Sequence, residues 1–477
     1  MSEEKKAWEK RKEQLFLDKK NGYDVVDEGT VVAAADYCEG YKKFLDDAKT
    51  EREAVKAAIA LAEEQGFVPY VRGMALKAGD KVYRSNRGKS LLLAVIGEED
   101  LSHGANIGAA HTEGVQIGAA HIDSPRLDLK PYPLYEDGDF ALLKTHYYGG
   151  IRKYQWLSIP LELHGVVIRK DGTSVEVRIG AEPGDPVLAI PDLLPHLAAA
   201  QSQKPLGTAV DPEDLNIFIG SRPYAEAEGS DRIKLAVLDL LNEKYGITEE
   251  DFLSAELCAV PAYSAVDVGL DRSLLGAYGQ DDRVCSYAAL KGLFDAEKRH
   301  KTAVCILADK EEIGSDGVTG MQSQAFDTFI ADLCDSQGVS LRECFEHSFC
   351  LSADVTACYD PNFANVYDKR NSSIINRGVG LCKYTGSRGK SGASDASAEV
   401  MGYARRVFER ANVLWHVAEL GKVDVGGGGT VALFMANRNI DTVDAGVSVL
   451  GMHAPFEVTG KLDCYMTYLA MKAVFEE

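Results

Sequence analysis

The chain has 477 residues, 45% of them hydrophobic and 26% charged, which is typical of soluble globular proteins. This length predicts two domains rather than one core. The formal net charge of −21 argues against a general nucleic-acid-binding protein, because neutralising phosphates requires surfaces rich in lysine and arginine. The charged N-terminus and the short apolar runs, none near the roughly 20 residues of a membrane helix, argue against a signal peptide and a membrane span. We therefore expect a cytoplasmic protein without nucleic-acid or membrane partners.

The ten cysteines are dispersed along the chain, and no two of them form a Cys-x-x-Cys pair. This spacing supports neither a zinc ribbon nor a thioredoxin-like motif. Several cysteines lie within apolar runs, as Cys305 does. The pattern predicts free, buried thiols in a reducing compartment.

Helical and strand-like segments alternate through the first and last parts of the chain. Helices are predicted at residues 4–19 and roughly 30–65. The second stretch carries apolar side chains at helical spacing, and Gly66 is typical of its end. Short apolar runs predict strands at residues 81–84, 90–96, 116–121, 302–309 and 348–354, and helices are expected around residues 284–298, 321–337 and 393–411. The alternation predicts an α/β fold.

The middle of the chain differs from both flanks. Residues 127–268 contain alternating apolar and polar residues and a turn at Asp171 and Gly172, which is typical of antiparallel hairpins. We therefore predict a discontinuous catalytic domain of residues 1–126 and 269–477. Residues 127–268 would form an inserted β-rich domain.

The first candidate site residue is His121, which ends an apolar strand and precedes Asp123 by two residues. An imidazole can bind a metal through one nitrogen while a carboxylate accepts a hydrogen bond from the other. Asp281 and Asp282 precede a helical stretch, so they could cap that helix, or Asp281 could bridge two cations with Asp282 turned away.

Further candidates follow other apolar runs. Glu311 and Glu312 are adjacent, so one could bind a metal while the other faces a water, although an ordinary charged loop explains them equally well. Asp354 and His453 could each be structural. Taken together, two histidines and three carboxylates provide a suitable ligand set for two zinc-like ions, with a spare carboxylate as general base. Strand ends of an α/β sheet can bring such ligands to one crevice.

These segments resemble the M18 metallopeptidases, the aspartyl aminopeptidase family, over nearly the whole chain. The matching stretches are His121-Ile-Asp-Ser-Pro, Gly279-Gln-Asp-Asp-Arg, Asp309-Lys-Glu-Glu-Ile-Gly-Ser, Ser352-Ala-Asp and Met452-His453. The resemblance implies a mixed-sheet zinc-peptidase catalytic domain with an inserted dimerisation domain. It also implies the roles of the candidates: His121 and Asp354 at one metal, Glu312 and His453 at the other, Asp281 as bridge, Glu311 as general base and Asp123 as partner of His121.

The resemblance has further implications for assembly and substrate. It implies homo-oligomers, with dimers forming a tetrahedral dodecamer, and a histidine of the inserted domain that enters a neighbouring active site, for which His196 is the candidate. Lys383 falls where the family places a lysine facing the substrate side chain. Departures from the family pattern occur at Lys310, at residues 149–156 and after His453. They argue against a strict preference for N-terminal aspartate or glutamate.

The resulting hypothesis is a dinuclear-metal aminopeptidase that releases N-terminal residues, acidic ones among the candidates, from peptides. Zinc is the expected metal, with cobalt and manganese as alternatives, because histidine and carboxylate ligands accept all three. His196 would assist in stabilising the oxyanion. Two alternatives stay open: a two-metal deacylase of N-acyl amino acids, and an inactive oligomeric scaffold.

Two other motifs are rejected as functional signals. The glycine run 426–429 lacks the Lys-Ser/Thr pair of a phosphate-binding P-loop, so a tight turn or a close backbone approach to substrate explains it better. His111 echoes the His121 segment but lacks an aspartate two residues later, and we interpret it as a decoy.

Overall fold

A computed structural model describes residues 6–17, 20–98, 114–297 and 300–477. His111 lies outside the described residues. The helices are α1 (Ala7–Leu15), α2 (Glu28–Asp47), α3 (Glu51–Glu64), α4 (Leu206–Ala209), α5 (Arg232–Tyr245), α6 (Gln280–Asp295), α7 (Ala325–Asp335), α8 (Leu341–Glu346), α9 (Ala398–Arg410), α10 (Ala432–Ala436) and α11 (Lys461–Phe475).

The strands fall into three consecutive groups. The first group is β1 (Val68–Pro69), β2 (Lys81–Asn86), β3 (Ser90–Val95) and β4 (Val115–His121). The second is β5 (Arg126–Asp137), β6 (Phe140–Tyr148), β7 (Pro160–Ile168), β8 (Ser174–Ile179), β9 (Leu188–Ala189), β10 (Ile217–Gly220) and β11 (Ala255–Pro261). The third is β12 (Val266–Val268), β13 (Leu274–Ala277), β14 (Thr302–Ala308), β15 (Phe349–Ser352), β16 (Thr356–Ala357), β17 (Val379–Cys382), β18 (Trp415–Val417), β19 (Asp441–Gly446), β20 (Ser448–Leu450) and β21 (Glu457–Gly460).

The largest sheet is mixed and is formed, within the described residues, by nine strands in the order β1-β2-β3-β14-β4-β15-β19-β17-β18. Its central strands β14, β4, β15 and β19 are parallel neighbours. Their carboxyl ends therefore lie along one edge, where α/β proteins usually place a binding crevice.

Helices cover both faces of this sheet, and β14 shows how. Ala303, Cys305 and Leu307 belong to a core with α2, α3, α6, α9 and α11, whereas Val304 and Ile306 belong to a core with α7, α8 and α10. Because successive strand residues point to opposite faces, a continuous apolar run is required for a strand buried on both sides. The predicted α/β fold with a mixed sheet is thus confirmed.

The second sheet, β5 to β11, is antiparallel and has its own core. Since β11 pairs with both β5 and β7, the sheet closes on itself. The turn between β7 and β8 contains Asp171 and Gly172, as predicted. Trp156, fully buried, packs in the apolar cluster of this sheet. The boundaries of the inserted domain stay a prediction.

Two features differ from the sequence-based expectation. The predicted helix at residues 30–65 is two helices, α2 and α3, because Thr50 caps α3 and pairs reciprocally with Glu53 in a capping box. A small third sheet, β12-β13-β21-β20-β16, was not predicted, since its strands are too short to show a period. Across the part of the chain that the structure describes, no helix is both long and apolar enough to cross a membrane.

Candidate active site

The candidate residues come from five separate elements that meet at the carboxyl edge of the central strands. His121 is the last residue of β4. Asp281 lies in the first turn of α6, and Glu311 begins a short 3₁₀ helix after β14. Asp354 follows β15 by two residues, and His453 occupies the turn between β20 and β21. The structure therefore brings together side chains that are far apart in sequence.

Asp281 lies between the two histidines. Its Oδ1 is 3.2 Å from His121 Nε2, and its Oδ2 is 3.3 Å from His453 Nε2. Each carboxylate oxygen thus faces a different imidazole, which is the arrangement expected of a carboxylate shared by two cations.

The remaining carboxylates divide between the two histidines. His121 Nε2 lies 3.7 Å from Asp354 Oδ1 and 3.8 Å from Glu311 Oε2, whereas His453 Nε2 lies 3.4 Å from Glu312 Oε2. Two groups of residues could each hold a metal ion, because within each group the potential ligand atoms all lie within 4.8 Å of one another. The first group is His121, Glu311 and Asp354, and the second is His121, Asp281 and Glu312. The second group joins Glu312 to His121, whereas the resemblance places Glu312 with His453, so the division of the ligands between two ions stays a prediction.

Asp123 is fully buried beside this centre, and its carboxylate contacts residues on both sides of it. Its Oδ1 lies 3.3 Å from His121 Nδ1 and accepts the Glu311 N–H at 3.1 Å. Its Oδ2 accepts the Glu312 N–H at 3.2 Å and the Tyr148 hydroxyl at 2.8 Å. One carboxylate therefore orients the His121 ring and fixes the turn that presents both glutamates.

Glu457 has a similar role that the sequence analysis missed. Its carboxylate accepts hydrogen bonds from the His453 N–H at 2.8 Å and the Asp281 N–H at 3.1 Å, and Glu457 is only 1% exposed. Asp282, also buried, accepts the His121 N–H at 3.3 Å, so its side chain points away from the imidazole nitrogens.

Burial and crowded charges shift the titration of these groups. Although burial lowers it, the surrounding acids raise the pKa of His453 to about 11 and that of His121 well above its usual value. Burial is the main cause that raises the pKa of Glu311 to about 8, and nearby Asp354 adds to it. Although burial opposes the shift, the two histidines lower the pKa of Asp281. The centre therefore holds more carboxylates than its two imidazoles can balance.

This arrangement fits divalent cations. Imidazole nitrogens and carboxylate oxygens are the donors that zinc and similar ions prefer, and four carboxylates around two imidazoles leave an excess of buried negative charge. In addition, Glu312 Oε1 is buried and has no hydrogen-bond partner among the described residues. A buried carboxylate oxygen without a partner is costly, and a bound cation would satisfy it.

A cavity of about 410 Å³ opens onto the centre. Apart from the acidic residues and His453, its walls contain apolar or uncharged side chains, among them Val355, Tyr384, Leu420 and Met452, and the glycines 427–429. None of the described residues that line it is a lysine or an arginine. The glycine run thus borders the cavity, and a Cβ at Gly426 or Gly427 would clash with backbone oxygens of Leu420 or Gly386.

The two remaining candidates lie apart from the cavity wall. Lys383 is absent from the described lining, although its neighbours Cys382 and Tyr384 belong to it, and its Nζ pairs with Asp395 Oδ1 at 2.5 Å. His196 is exposed in a turn-rich segment between β9 and α4. The roles of both residues stay predictions.

Comparison with known proteins gives the family. Residues 44–475 match the family described as aminopeptidase I zinc metalloprotease (M18). A probable M18 family aminopeptidase 1 from Clostridium acetobutylicum is 46% identical over 461 residues, covering 95% of this chain and 97% of the relative. The chain belongs to the M18 family. The predicted family and the class of metallo-aminopeptidase are thereby confirmed.

Solved structures show the same fold for this M18 aminopeptidase. The Thermotoga maritima M18 aminopeptidase superposes with a TM-score of 0.91 at 43% identity and covers 97% of this chain and 100% of its own. The S. cerevisiae mApe1 dodecamer has a TM-score of 0.73 at 20% identity, covering 92% of this chain and 96% of its own. At that identity the likeness shows the fold alone.

Proposed function

We propose that this M18 aminopeptidase holds two divalent metal ions, zinc by preference, between His121 and His453. His121 and Asp354 would bind one ion, Glu312 and His453 the other, with Asp281 shared. The observation that carries this proposal is the position of Asp281, whose two oxygens lie 3.2 and 3.3 Å from different imidazoles. A carboxylate serving a single ion would not need to face both.

Ions bound there would polarise the scissile carbonyl and lower the pKa of a water. Glu311 faces the cavity, and its backbone is fixed through Asp123. Its carboxylate would accept the proton of the attacking water and then give a proton to the leaving amine. The surrounding carboxylates would receive the free α-amine of the peptide, which restricts cleavage to the first residue.

Metal titration tests the dinuclear site. Cobalt(II) added to metal-free protein should bind at two equivalents, followed by absorbance and by elemental analysis after desalting. Asp281→Asn should bind both equivalents of cobalt(II) more weakly, because the shared side chain loses its negative charge. Saturation of the unmodified protein at a single equivalent would reject the second ion.

The cavity supports uncharged N-terminal residues as substrates. An acidic side chain would need a cationic partner, but the described lining contains no lysine or arginine, and Lys383 is paired with Asp395. A profile of aminoacyl p-nitroanilides should therefore show faster cleavage of apolar residues than of aspartate. The reverse order would indicate that Lys383 leaves Asp395 and enters the cavity.

We also propose that the protein forms homo-oligomers in which His196 enters a neighbouring site. The yeast relative is described as a dodecamer. Around His196, Leu193, Leu194 and Leu197 are 43%, 48% and 67% exposed, which is typical of a surface that becomes covered by a partner. The ten free, buried cysteines support a cytoplasmic location.

Mixing two inactive variants tests the role of His196. In a mixed dimer of His196→Ala and Glu311→Gln, one site would combine an intact Glu311 with an intact partner histidine. Random reassociation should restore about a quarter of all sites in a two-fold arrangement. If His196 acts within its own chain, or has no catalytic role, the mixture will show no such complementation.

The alternative functions give different readouts. A deacylase would hydrolyse N-acyl amino acids faster than aminoacyl substrates. An inactive scaffold would bind no metal and hydrolyse neither substrate. The two assays, run beside metal analysis, separate all three functions.

A further inference from the structure

The end of strand β6 continues directly into the metal centre. Tyr148 is the last residue of β6, and Gly149 and Gly150 follow it. This segment contacts both halves of the candidate site, although it belongs to the seven-stranded sheet. We propose that Tyr148 and Gly150 are positioning residues for the two histidines, Tyr148 through Asp123 and Gly150 through its carbonyl. The inference rests on the proposed dinuclear site.

Tyr148 acts on the His121 side. Its hydroxyl donates to Asp123 Oδ2 at 2.8 Å, the shortest of the hydrogen bonds that this carboxylate accepts. The other carboxylate oxygen of Asp123 lies 3.3 Å from His121 Nδ1, and the backbone carbonyl oxygen of Asp123 lies 3.1 Å from the same nitrogen. The hydroxyl restrains the rotation of the carboxylate, so Oδ1 stays beside Nδ1 and, together with the backbone carbonyl, sets the direction of Nε2.

The tyrosine is itself held in place. The guanidinium carbon of Arg126 lies 4.1 Å from the centre of the Tyr148 ring, and the two residues are paired across β5 and β6. Arg126 in turn donates to Glu51 Oε2 at 3.0 Å and to Asp128 Oδ1 at 2.7 Å. A cation held over the ring face restrains the ring, so the hydroxyl has a fixed position.

Gly150 acts on the His453 side. Its carbonyl oxygen lies 2.9 Å from His453 Nδ1, and a carbonyl can only accept, so Nδ1 carries the hydrogen. His453 Nε2 is thereby directed toward Asp281 and Glu312. A hydrogen bond of this kind at one ring nitrogen determines which nitrogen of a histidine is free to bind a metal.

The close approach favours glycine at both positions. A Cβ at residue 150 would lie 3.2 Å from His453 Nδ1, and one at residue 149 would lie 3.3 Å from Glu312 Cβ. Gly149 also has a φ of +74°, which side chains other than glycine rarely adopt. Nothing larger could pass between the sheet and both metal-binding side chains without moving them.

The test compares Tyr148→Phe with Tyr147→Phe. Phenylalanine keeps the ring and its contact with Arg126 but removes the hydroxyl, whereas Tyr147, 39% exposed, is the neighbouring residue on the other face of β6. We expect Tyr148→Phe to weaken binding of cobalt(II) by about 10–100-fold, to alter its visible spectrum and to lower kcat with KM unchanged. Tyr147→Phe should match the unmodified protein in all three.

Gly150→Ala tests the second contact, because the added Cβ would lie 3.2 Å from His453 Nδ1 and push the ring away from the Gly150 carbonyl. Gly207→Ala is the control, because no atom lies within 4 Å of a Cβ built there. The alanine at residue 150 should weaken one cobalt equivalent and leave folding, followed by circular dichroism, intact. If the unmodified protein binds no second ion, the proposed function fails. If it binds both ions and both variants bind them equally well, the positioning role is wrong, and it is also wrong if both variants fail to fold.

Discussion

Replacement of Asp123 by asparagine should disturb the orientation of the proposed metal ligands while leaving every proposed ligand in place. The change is isosteric, yet both carboxylate oxygens of Asp123 accept hydrogen bonds: Oδ1 from the Glu311 N–H, and Oδ2 from the Glu312 N–H and the Tyr148 hydroxyl. Oδ1 also lies 3.3 Å from His121 Nδ1. An asparagine presents one oxygen and one NH₂ group. In either orientation of the amide, that NH₂ group meets a backbone N–H.

The cheaper orientation places the NH₂ group at Oδ2. There the Tyr148 hydroxyl can rotate and accept, but the Glu312 N–H loses its acceptor, which costs about 1–3 kcal/mol for a buried group. The charge is lost as well. Although burial opposes it, the hydrogen bond to His121 lowers the pKa of Asp123, so the fold favours the ionised carboxylate. We therefore expect a loss of about 1–3 kcal/mol in the free energy of unfolding and about 10–100-fold in metal affinity.

Urea unfolding of the metal-free protein and cobalt titration measure the two losses separately. Asp137→Asn is the matched control, because Asp137 is exposed at the far end of β5. Unfolding and cobalt binding of Asp123→Asn that equal those of the control would refute the reasoning. Such a result would mean that the turn at Glu311 and Glu312 is fixed without this carboxylate.

Three further predictions concern the base, the ions and a buried ion cluster. Glu311→Gln should lower turnover by about 10²–10⁴-fold while cobalt binding persists; near-normal turnover would remove Glu311 as the base. Each ion at 100 times its dissociation constant should add about 2.7 kcal/mol of stability, so chelation should lower the melting temperature, and an unchanged value would contradict the site. Fully buried His164 lies 2.8 Å from Glu53 and 3.3 Å from Glu162, and replacing it with alanine should cost about 3–5 kcal/mol below neutral pH.

The pH dependence of the His164 effect follows from its surroundings. Although burial lowers it, hydrogen bonds to Glu162 and Glu53 raise the pKa of His164. Lys49 and Arg178 also face these glutamates and limit the shift. The stabilisation by the protonated ring is complete below the unfolded pKa of about 6.5 and is lost as the pH rises through the raised value. Urea unfolding at acid and alkaline pH checks this, and an effect of His164→Ala that grows with pH would contradict it.

The residues that meet at the candidate site could be selected from the sequence because each lies near the end of an apolar strand or the start of a helix. That position is a local signal, and the spacing of His121 and Asp123 is local too. Glu457 left no such signal, since it acts by accepting backbone N–H groups from residues that only the fold brings near. The contact of Gly150 with His453 spans 303 positions, and a glycine that permits a close approach resembles any other in a turn.

The fold shows the same division. Strands buried on both faces, such as β14, have long apolar runs, and the sequence predicted them. The third sheet contains strands of two to four residues, too short for any periodic pattern, although it positions His453. The break between α2 and α3 was not predicted, although the sequence contains a signal for it, because Thr50 and Glu53 have the spacing of a capping box.

The spread of the ligands along the chain affects synthesis of the enzyme. A ribosome that has passed Asp354 has made most of the proposed ligands, but the second ion lacks its histidine until residue 453 leaves the exit tunnel. In the proposed two-ion centre, the His121 side could therefore load while the chain is still being made, whereas the His453 side would be completed only near the end of translation. Polypeptides released early would retain acidic clusters but could not build the complete centre.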